Sequence, residues 1–240
     1  MIRLILEAIF LLFFGIFSII GLPLTWLVGK ISKNKQDRFA KKIVAGTFKI
    51  ILVIAGVKVE TVGKENLPQD KACLYVANHN SFFDVLVMYT EIPEVFGFVA
   101  KQEIKKVPIL RVWMKYVNCL FIDRDNMKQS LKVILEGIDM LKKGTNLCVF
   151  PEGTRSKDGN MLPFKEGSMK LATKSGALIV PVAMTGTADV FENHFPFIRS
   201  SKVKFIVGEP IDVSELEAEK KKNIGAHTRE VIEGLMKVNS

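Results

Sequence analysis

From Ala8 to Gly29 the chain runs 22 residues without a charged side chain. At about 1.5 Å per residue, a helix over this run reaches roughly 33 Å, enough to cross a hydrocarbon core about 30 Å thick. Three readings fit it. A secretory signal needs a small-residue cleavage site, but the run ends in LTWLVGK, which argues against one. A straight spanning helix has the length, yet Gly21 and Pro23 are expected to break or kink it two-thirds of the way along. Trp26 then falls where an interfacial aromatic belongs. The third reading is a helical hairpin that dips into the membrane without crossing it.

The next stretch bears on that choice. KISKNKQDRFAKK carries Lys30, Lys33, Lys35, Arg38, Lys41 and Lys42 against the single acid Asp37. IVAGTFKIILVIAGV is then apolar again, but at fifteen residues it is short for a span. A basic connector between two apolar helices faces anionic headgroups, each cation contributing about 1 kcal/mol near the surface. The positive-inside rule makes that face cytoplasmic. A solvated linker is the plainer alternative. Residues 1–56 therefore read as membrane-associating helices with a basic connector, and residues 57–240 as a separate unit.

The whole chain carries a formal net charge of +9, which favours anionic partners: acidic lipid, phosphorylated substrates or nucleic acid. Nucleic acid is disfavoured, because the basic residues lack interleaved aromatics and the apolar helices point to lipid. With 25% charged residues the chain is no polytopic membrane protein, and with 48% apolar residues it can bury a core. Cys73, Cys119 and Cys148 each sit in an apolar run without metal-ligand spacing, so buried, reduced thiols in a cytosol-facing compartment are expected.

Beyond Val57 short apolar runs alternate with amphipathic stretches. VKVETVG reads as an edge strand, and CLYVA, VFGFVA, NCLFIDR, NLCVF, ALIVPVAMTG and SKVKFIVGEPI as further strands. Helical spacing at Ile104, Val107, Leu110 and Met114 predicts one helix, residues 130–144 a second ending at Gly144, residues 168–176 a third and residues 215–238 a charged terminal one. This alternation predicts an α/β fold, a mixed sheet flanked by helices. Pro181 suggests a strand edge or end rather than the middle of a ladder.

CLYVA leads into NHNSFFD, which holds His79, one of three histidines, and Asp84. On a continuous helix residues five apart point about 140° from each other, so the two meet only across a strand–turn–helix junction. Ser81 to Asp84 fits a capping box, with Ser81 as N-cap and Asp84 at the third helical position. A carboxylate there can hold the proton of one imidazole nitrogen and free the other as a general base. No nucleophile elbow of the GxSxG type occurs, so the nucleophile is expected to be a substrate hydroxyl, with Ser81 as the rival. About 70 residues on, FPEGTRS follows NLCVF directly. Pro151 ends the strand, Gly153 permits a tight turn, Arg155 offers a planar fork for phosphate, and Glu152 is free to pair with Arg155 or to bond a substrate hydroxyl.

Taken together, NHNSFFD and FPEGTRS resemble the first and third motifs of the glycerolipid acyltransferase family. FIDR (121–124) resembles its second motif and VPVA (180–183) its fourth, while KQEI (101–104) and FKEG (164–167) resemble intermediate blocks. The likeness covers roughly residues 60–210 and is greatest to the bacterial members that acylate 1-acylglycerol 3-phosphate. The resemblance implies an enzyme in which His79, oriented by Asp84, deprotonates the free hydroxyl of lysophosphatidic acid for attack on an acyl thioester, giving phosphatidic acid. It implies that Arg124, Arg155 and Lys101 hold the phosphate, and that Glu152, Gly153 and Thr154 shape the glycerol pocket. The backbone near Gly153 is a candidate for steadying the oxyanion. No metal or bound cofactor is implied, since the thioester of acyl carrier protein or coenzyme A already activates the acyl group. The implied location is the cytoplasmic face of the cell membrane. A same-family enzyme for another lysolipid or glycerol 3-phosphate, a Ser81/His79 lipid hydrolase, and a basic lipid-binding module without chemistry are the alternatives.

Overall fold

A computed structural model describes residues 1–156 and 158–238, so the last two residues of the expected 57–240 unit lie outside it. In chain order the elements are α1 (Ile2–Ile31), α2 (Lys33–Ala55), β1 (Lys58–Val62), β2 (Cys73–Ala77), α3 (Phe83–Glu91), β3 (Phe96–Lys101), α4 (Pro108–Tyr116), β4 (Leu120–Ile122), α5 (Met127–Lys142), β5 (Asn146–Val149), α6 (Glu166–Ser175), β6 (Leu178–Thr185), β7 (Lys202–Val207), α7 (Ala218–Lys222) and α8 (Ile224–Val238).

The strands form one seven-stranded sheet in the order β1-β7-β6-β2-β5-β3-β4. β6, β2, β5, β3 and β4 are parallel, while β7 runs antiparallel to β6 and β1 parallel to β7. This is the mixed, helix-flanked sheet expected from the alternation. CLYVA shows why a continuous apolar run makes a central strand. Cys73, Tyr75 and Ala77 point into the core shared with α2, α3 and α4, and Leu74 and Val76 into the core shared with α5, α6 and α8. Because five strands are parallel, the loops after β2, β3, β4, β5 and β6 all leave the same carboxyl edge of the sheet.

Several local expectations give way. Pro181 lies inside a central strand, flanked by β2 and β7. Its carbonyl accepts from Gly208 N at 2.8 Å on the β7 side, so the missing N–H also faces that side. Proline has no N–H to return the second bond of that pair, so the β6–β7 ladder ends at Val182–Val207. The helix predicted from Ile104 to Met114 is two pieces, a 3-10 turn over Gln102–Lys106 and α4, parted at Val107 by Pro108. Trp113 is the residue α4 buries, while Val107 and Leu110 are exposed. The terminal helix is broken at Asn223 into α7 and α8. Cys73 and Cys148 are buried, Cys119 is only partly covered, and all three are free thiols. Burial pushes the Cys73 and Cys119 thiols up to about 12, which makes them poor nucleophiles.

α1 is long and apolar enough to cross a membrane. It runs unbroken through Gly21 and Pro23, against expectation. Pro23 leaves the carbonyl of Ile19 without its helical donor, and one turn on Thr25 Oγ1 donates back to Gly21 O at 2.7 Å. Much of the helix surface is bare apolar side chain, including Ile9, Leu12, Phe13, Ile16, Ile19 and Ile20. α2 returns alongside it: Gln36 Nε2 donates to Thr25 O at 3.1 Å, and the Arg3 guanidinium lies against Gly56. The basic cluster is thus the last turn of α1 and the start of α2, parted only by Ser32, rather than a loop.

One of its cations does not face outward. Lys41 is 6% exposed; its ammonium donates to Tyr89 O at 2.8 Å and lies over the Tyr89 and Phe96 rings at 3.7 and 4.7 Å. Burial brings its pKa down to about 7, with Glu94 opposing the shift. Between about pH 7 and the ordinary lysine range, the unfolded chain therefore holds a proton that the folded chain has released, so stability rises with pH. From pH 7 to pH 9 the protein should gain about 2 kcal/mol over a Lys41→Met variant. Denaturant unfolding of both proteins in detergent checks this; parallel pH dependence would refute it.

Candidate active site

The β2 strand delivers His79 to the carboxyl edge two residues after its last residue. Asn78 pins that exit, donating from Nδ2 to Met184 O at 2.9 Å and accepting from Met184 N at 2.8 Å. The loop then folds back on Asp84, which is 0% exposed. One carboxylate oxygen, Oδ2, accepts from Asn80 N at 2.7 Å and Ser81 N at 2.8 Å, and meets His79 Nδ1 at 2.9 Å. The expected strand–turn–helix meeting of His79 and Asp84 is realised. The cap differs in detail: α3 starts at Phe83, and the Ser81 hydroxyl accepts from Phe83 N at 3.0 Å. The Asp84 half of the capping box, reaching back to Ser81 N, is as expected.

With two backbone donors on it, the Asp84 carboxylate is an acceptor, so Nδ1 of His79 carries the hydrogen. Nε2 is then the basic nitrogen. The ring is stacked on Phe150 with centroids 4.0 Å apart, and its side chain keeps 18% exposure. Phe150 in turn stacks on Phe98 at 5.7 Å, so an aromatic wall fixes the imidazole plane.

The β5 strand brings FPEGTRS alongside. Ser156 N donates to His79 O at 2.8 Å, joining the two loops by their backbones. Gly153 sits at φ 78°, a conformation that glycine tolerates best, and the Lys165 side chain packs where a Cβ would stand. Its N–H donates to Phe150 O at 3.0 Å, so that amide is engaged in the turn and is not free for an oxyanion. Thr154 is exposed at the apex of the turn.

Glu152 meets neither Arg155 nor open space. It is 3% exposed, and its two oxygens accept from His79 N at 2.7 Å and Leu162 N at 2.8 Å. Burial pushes its carboxyl up, with those two donors pulling the other way. It clamps the histidine loop to the loop after β5. Arg155 is held instead by Glu192, Nη1 to Oε1 at 2.8 Å, and lies 3.6 Å above the Phe82 ring.

Lys101 ends β3 and pairs with Glu103 at 2.9 Å, and Arg124 stands two residues beyond β4. Both lie on the same carboxyl edge as His79. In the order β2-β5-β3-β4, β4 is three strand spacings, about 14 Å, from β2, so Arg155 is placed next to the histidine loop and Arg124 is not. Sequence reasoning missed Glu192, which lies in VFENHFPF, more than a hundred residues from the loop it binds. It also missed Phe82, whose one local signal is an aromatic left exposed at a helix start. A groove of about 780 Å³ lined by Val62, Gly208, Asp212 and His227 holds none of these residues. The site is therefore identified by its chemistry rather than by concavity.

The chain is similar to known proteins over most of its length. The family model described as Acyltransferase matches residues 58–185. The 1-acyl-sn-glycerol-3-phosphate acyltransferase of Borreliella burgdorferi is 29% identical over 184 residues, 77% of this chain and 74% of that protein. The chloroplastic 1-acyl-sn-glycerol-3-phosphate acyltransferase BAT2 of Brassica napus is 30% identical over 180 residues, 73% of this chain, and the match spans 52% of that longer protein. The crystal structure of the 1-acyl-sn-glycerophosphate (LPA) acyltransferase PlsC from Thermotoga maritima superposes with a TM-score of 0.81 at 25% identity, over 100% of this chain and 95% of that one.

Proposed function

The chain belongs to the acyltransferase family, and from that premise we propose that it moves a fatty acyl group from a thioester to the free hydroxyl of lysophosphatidic acid, giving phosphatidic acid. The observation that carries this reading is the His79 Nδ1 to Asp84 Oδ2 contact of 2.9 Å, made by a carboxylate also locked by two backbone donors. Nε2 takes the proton of the lysolipid hydroxyl as its oxygen attacks the thioester carbonyl. The tetrahedral intermediate expels the thiolate, which takes that proton from the imidazolium. Asp84 holds the ring and stabilises its charged form. Arg155 is the cation nearest the base for the acceptor phosphate, with Lys101 and Arg124 along the same edge. Glu152 acts by clamping the two loops rather than by touching substrate, and Gly153 and Thr154 form the turn beside the acceptor. The acyl donor is a co-substrate, so the scheme calls for no resident cofactor.

The hairpin of α1 and α2 supports a seat at the membrane. Both ends of α1 return to the α/β unit: Arg3 lies beside Gly56 and Ser200, and Lys33, just past the other end, donates to Asn118 Oδ1 at 3.0 Å. Its middle is held too, by Trp113 Nε1 to Ser18 Oγ at 2.9 Å. A helix with both ends against one α/β unit does not place those ends on opposite sides of a bilayer. A half-inserted hairpin at the cytoplasmic face fits better. Lys30, Lys35, Arg38 and Lys42 are exposed for anionic headgroups.

The test is turnover of lysophosphatidate and a long-chain acyl thioester by detergent-purified protein, following thiol release and phosphatidate together. Equal release of both is expected. Thiol release without lipid product would mean thioester hydrolysis and would overturn the reading. A serine hydrolase mechanism makes a different demand. The Ser81 hydroxyl donates to Glu192 Oε2 at 2.6 Å and accepts from Phe83 N, so it is not aimed at His79. Ser81→Ala should cost about tenfold at most, the loss of a supporting hydrogen bond. Complete inactivation of that variant would revive the hydrolase.

A further inference from the structure

We propose that Glu192 is the positioning residue of the acceptor site: it sets Arg155 in place for the acceptor's phosphate before substrate arrives, and ties it to the loop of the catalytic base. The proposal deepens the reading above and rests on it for the identity of the anion. Glu192 arrives from a 3-10 turn, Glu192–His194, beyond β6, outside all the stretches that pointed to catalysis. Its carboxylate takes three donors from two different loops. Oε2 accepts from Ser81 Oγ at 2.6 Å, and Oε1 accepts from Phe82 N at 2.9 Å and Arg155 Nη1 at 2.8 Å.

Arg155 is thereby fixed on two sides, by a carboxylate at one nitrogen and by the Phe82 ring 3.6 Å beneath its plane. A guanidinium has five N–H donors in a rigid fork, so a single Glu192 bond leaves the rest for a phosphate. An unheld arginine would lose side-chain freedom on binding the anion; a held one has already lost it on folding. The same carboxylate grips the backbone between His79 and Asp84, so the distance from phosphate fork to base is set by one side chain. That distance selects which hydroxyl, relative to the phosphate, lies against Nε2.

Glu192→Gln is the variant to make. With its amide oxygen in the place of Oε1 it can still accept from Phe82 N, its NH2 then faces the Ser81 hydroxyl, and the charge that holds Arg155 is gone. KM for lysophosphatidate should rise about tenfold, with kcat and the KM for the acyl thioester within about threefold of wild type. In an Arg155→Ala background the same substitution should change KM no further, which a purely structural role would not produce. A second measurement needs no turnover: phenylglyoxal labelling of Arg155, followed by mass spectrometry, should run at least about threefold faster in Glu192→Gln. Faster labelling in a protein that does not acylate lysophosphatidate would uphold the Glu192 hold and refute the substrate assignment. Unchanged labelling, unchanged KM, or a loss confined to kcat would overturn the proposal.

Discussion

Replacing His79 with Ala should lower the rate of phosphatidate formation by about 10²–10⁴-fold, the usual contribution of an oriented general base. The fold should survive, because the loop is held through its backbone. His79 N still donates to Glu152 and His79 O still accepts from Ser156, and the Asp84 carboxylate keeps the N–H groups of Asn80 and Ser81. What is lost is the imidazole, stacked on Phe150 and bonded to Asp84. Initial rates at saturating acceptor and donor, alongside a melting curve, separate chemistry from folding. A variant with wild-type turnover would reduce His79 to a loop residue beside a helix cap.

The largest effect on stability is expected at Asp84. Asp84→Ala removes the acceptor shared by Asn80 N, Ser81 N and the His79 ring, in a place with 0% exposure. Two backbone N–H groups, that of Ser81 buried and that of Asn80 partly buried, are left without partners at a cost of about 1–3 kcal/mol each at most, so the variant should be destabilised by about 2–6 kcal/mol. Asp84→Asn separates the roles. Its amide oxygen can still accept from both backbone groups, so stability should fall by less than about 1.5 kcal/mol. The charge that stabilises the imidazolium is gone, so turnover should drop at least tenfold. Denaturant unfolding in detergent and initial rates, read together, are the check. Equal stability of Asp84→Ala and wild type would show that the carboxylate does not hold the loop.

Much of the candidate site's layout was legible because its signals are local. The meeting of His79 and Asp84 follows from a strand end, five residues and a helix start, and the turn at Gly153 from a strand that stops at a proline. CLYVA, long enough for a strand and apolar on both faces, announced its own place near the middle of the sheet. The residues misread locally were those whose environment is made by distant chain. Lys41 sits in a basic cluster, but Tyr89 and Phe96 close over it. Pro23 is a helix breaker by type, but it stands in a helix packed along its length by α2 and α4. Pro181 stands in a central strand at the point where the β6–β7 ladder ends, so only one bond is forgone.

By itself the sequence determined the apolar amino-terminal run, the alternation that makes a helix-covered sheet, and the two loops that carry His79 and Arg155. These depend on period, turn chemistry and residue type within about ten positions. Only the tertiary structure decided which partner each charged group takes: Arg155 with Glu192 instead of Glu152, Glu152 with backbone amides, Lys41 with aromatic rings. A buried charge is tolerated only where specific acceptors or donors surround it. Most of those groups come from helices and loops that pack together in the fold but lie tens of residues apart in the chain, so no local pattern encodes the pairing.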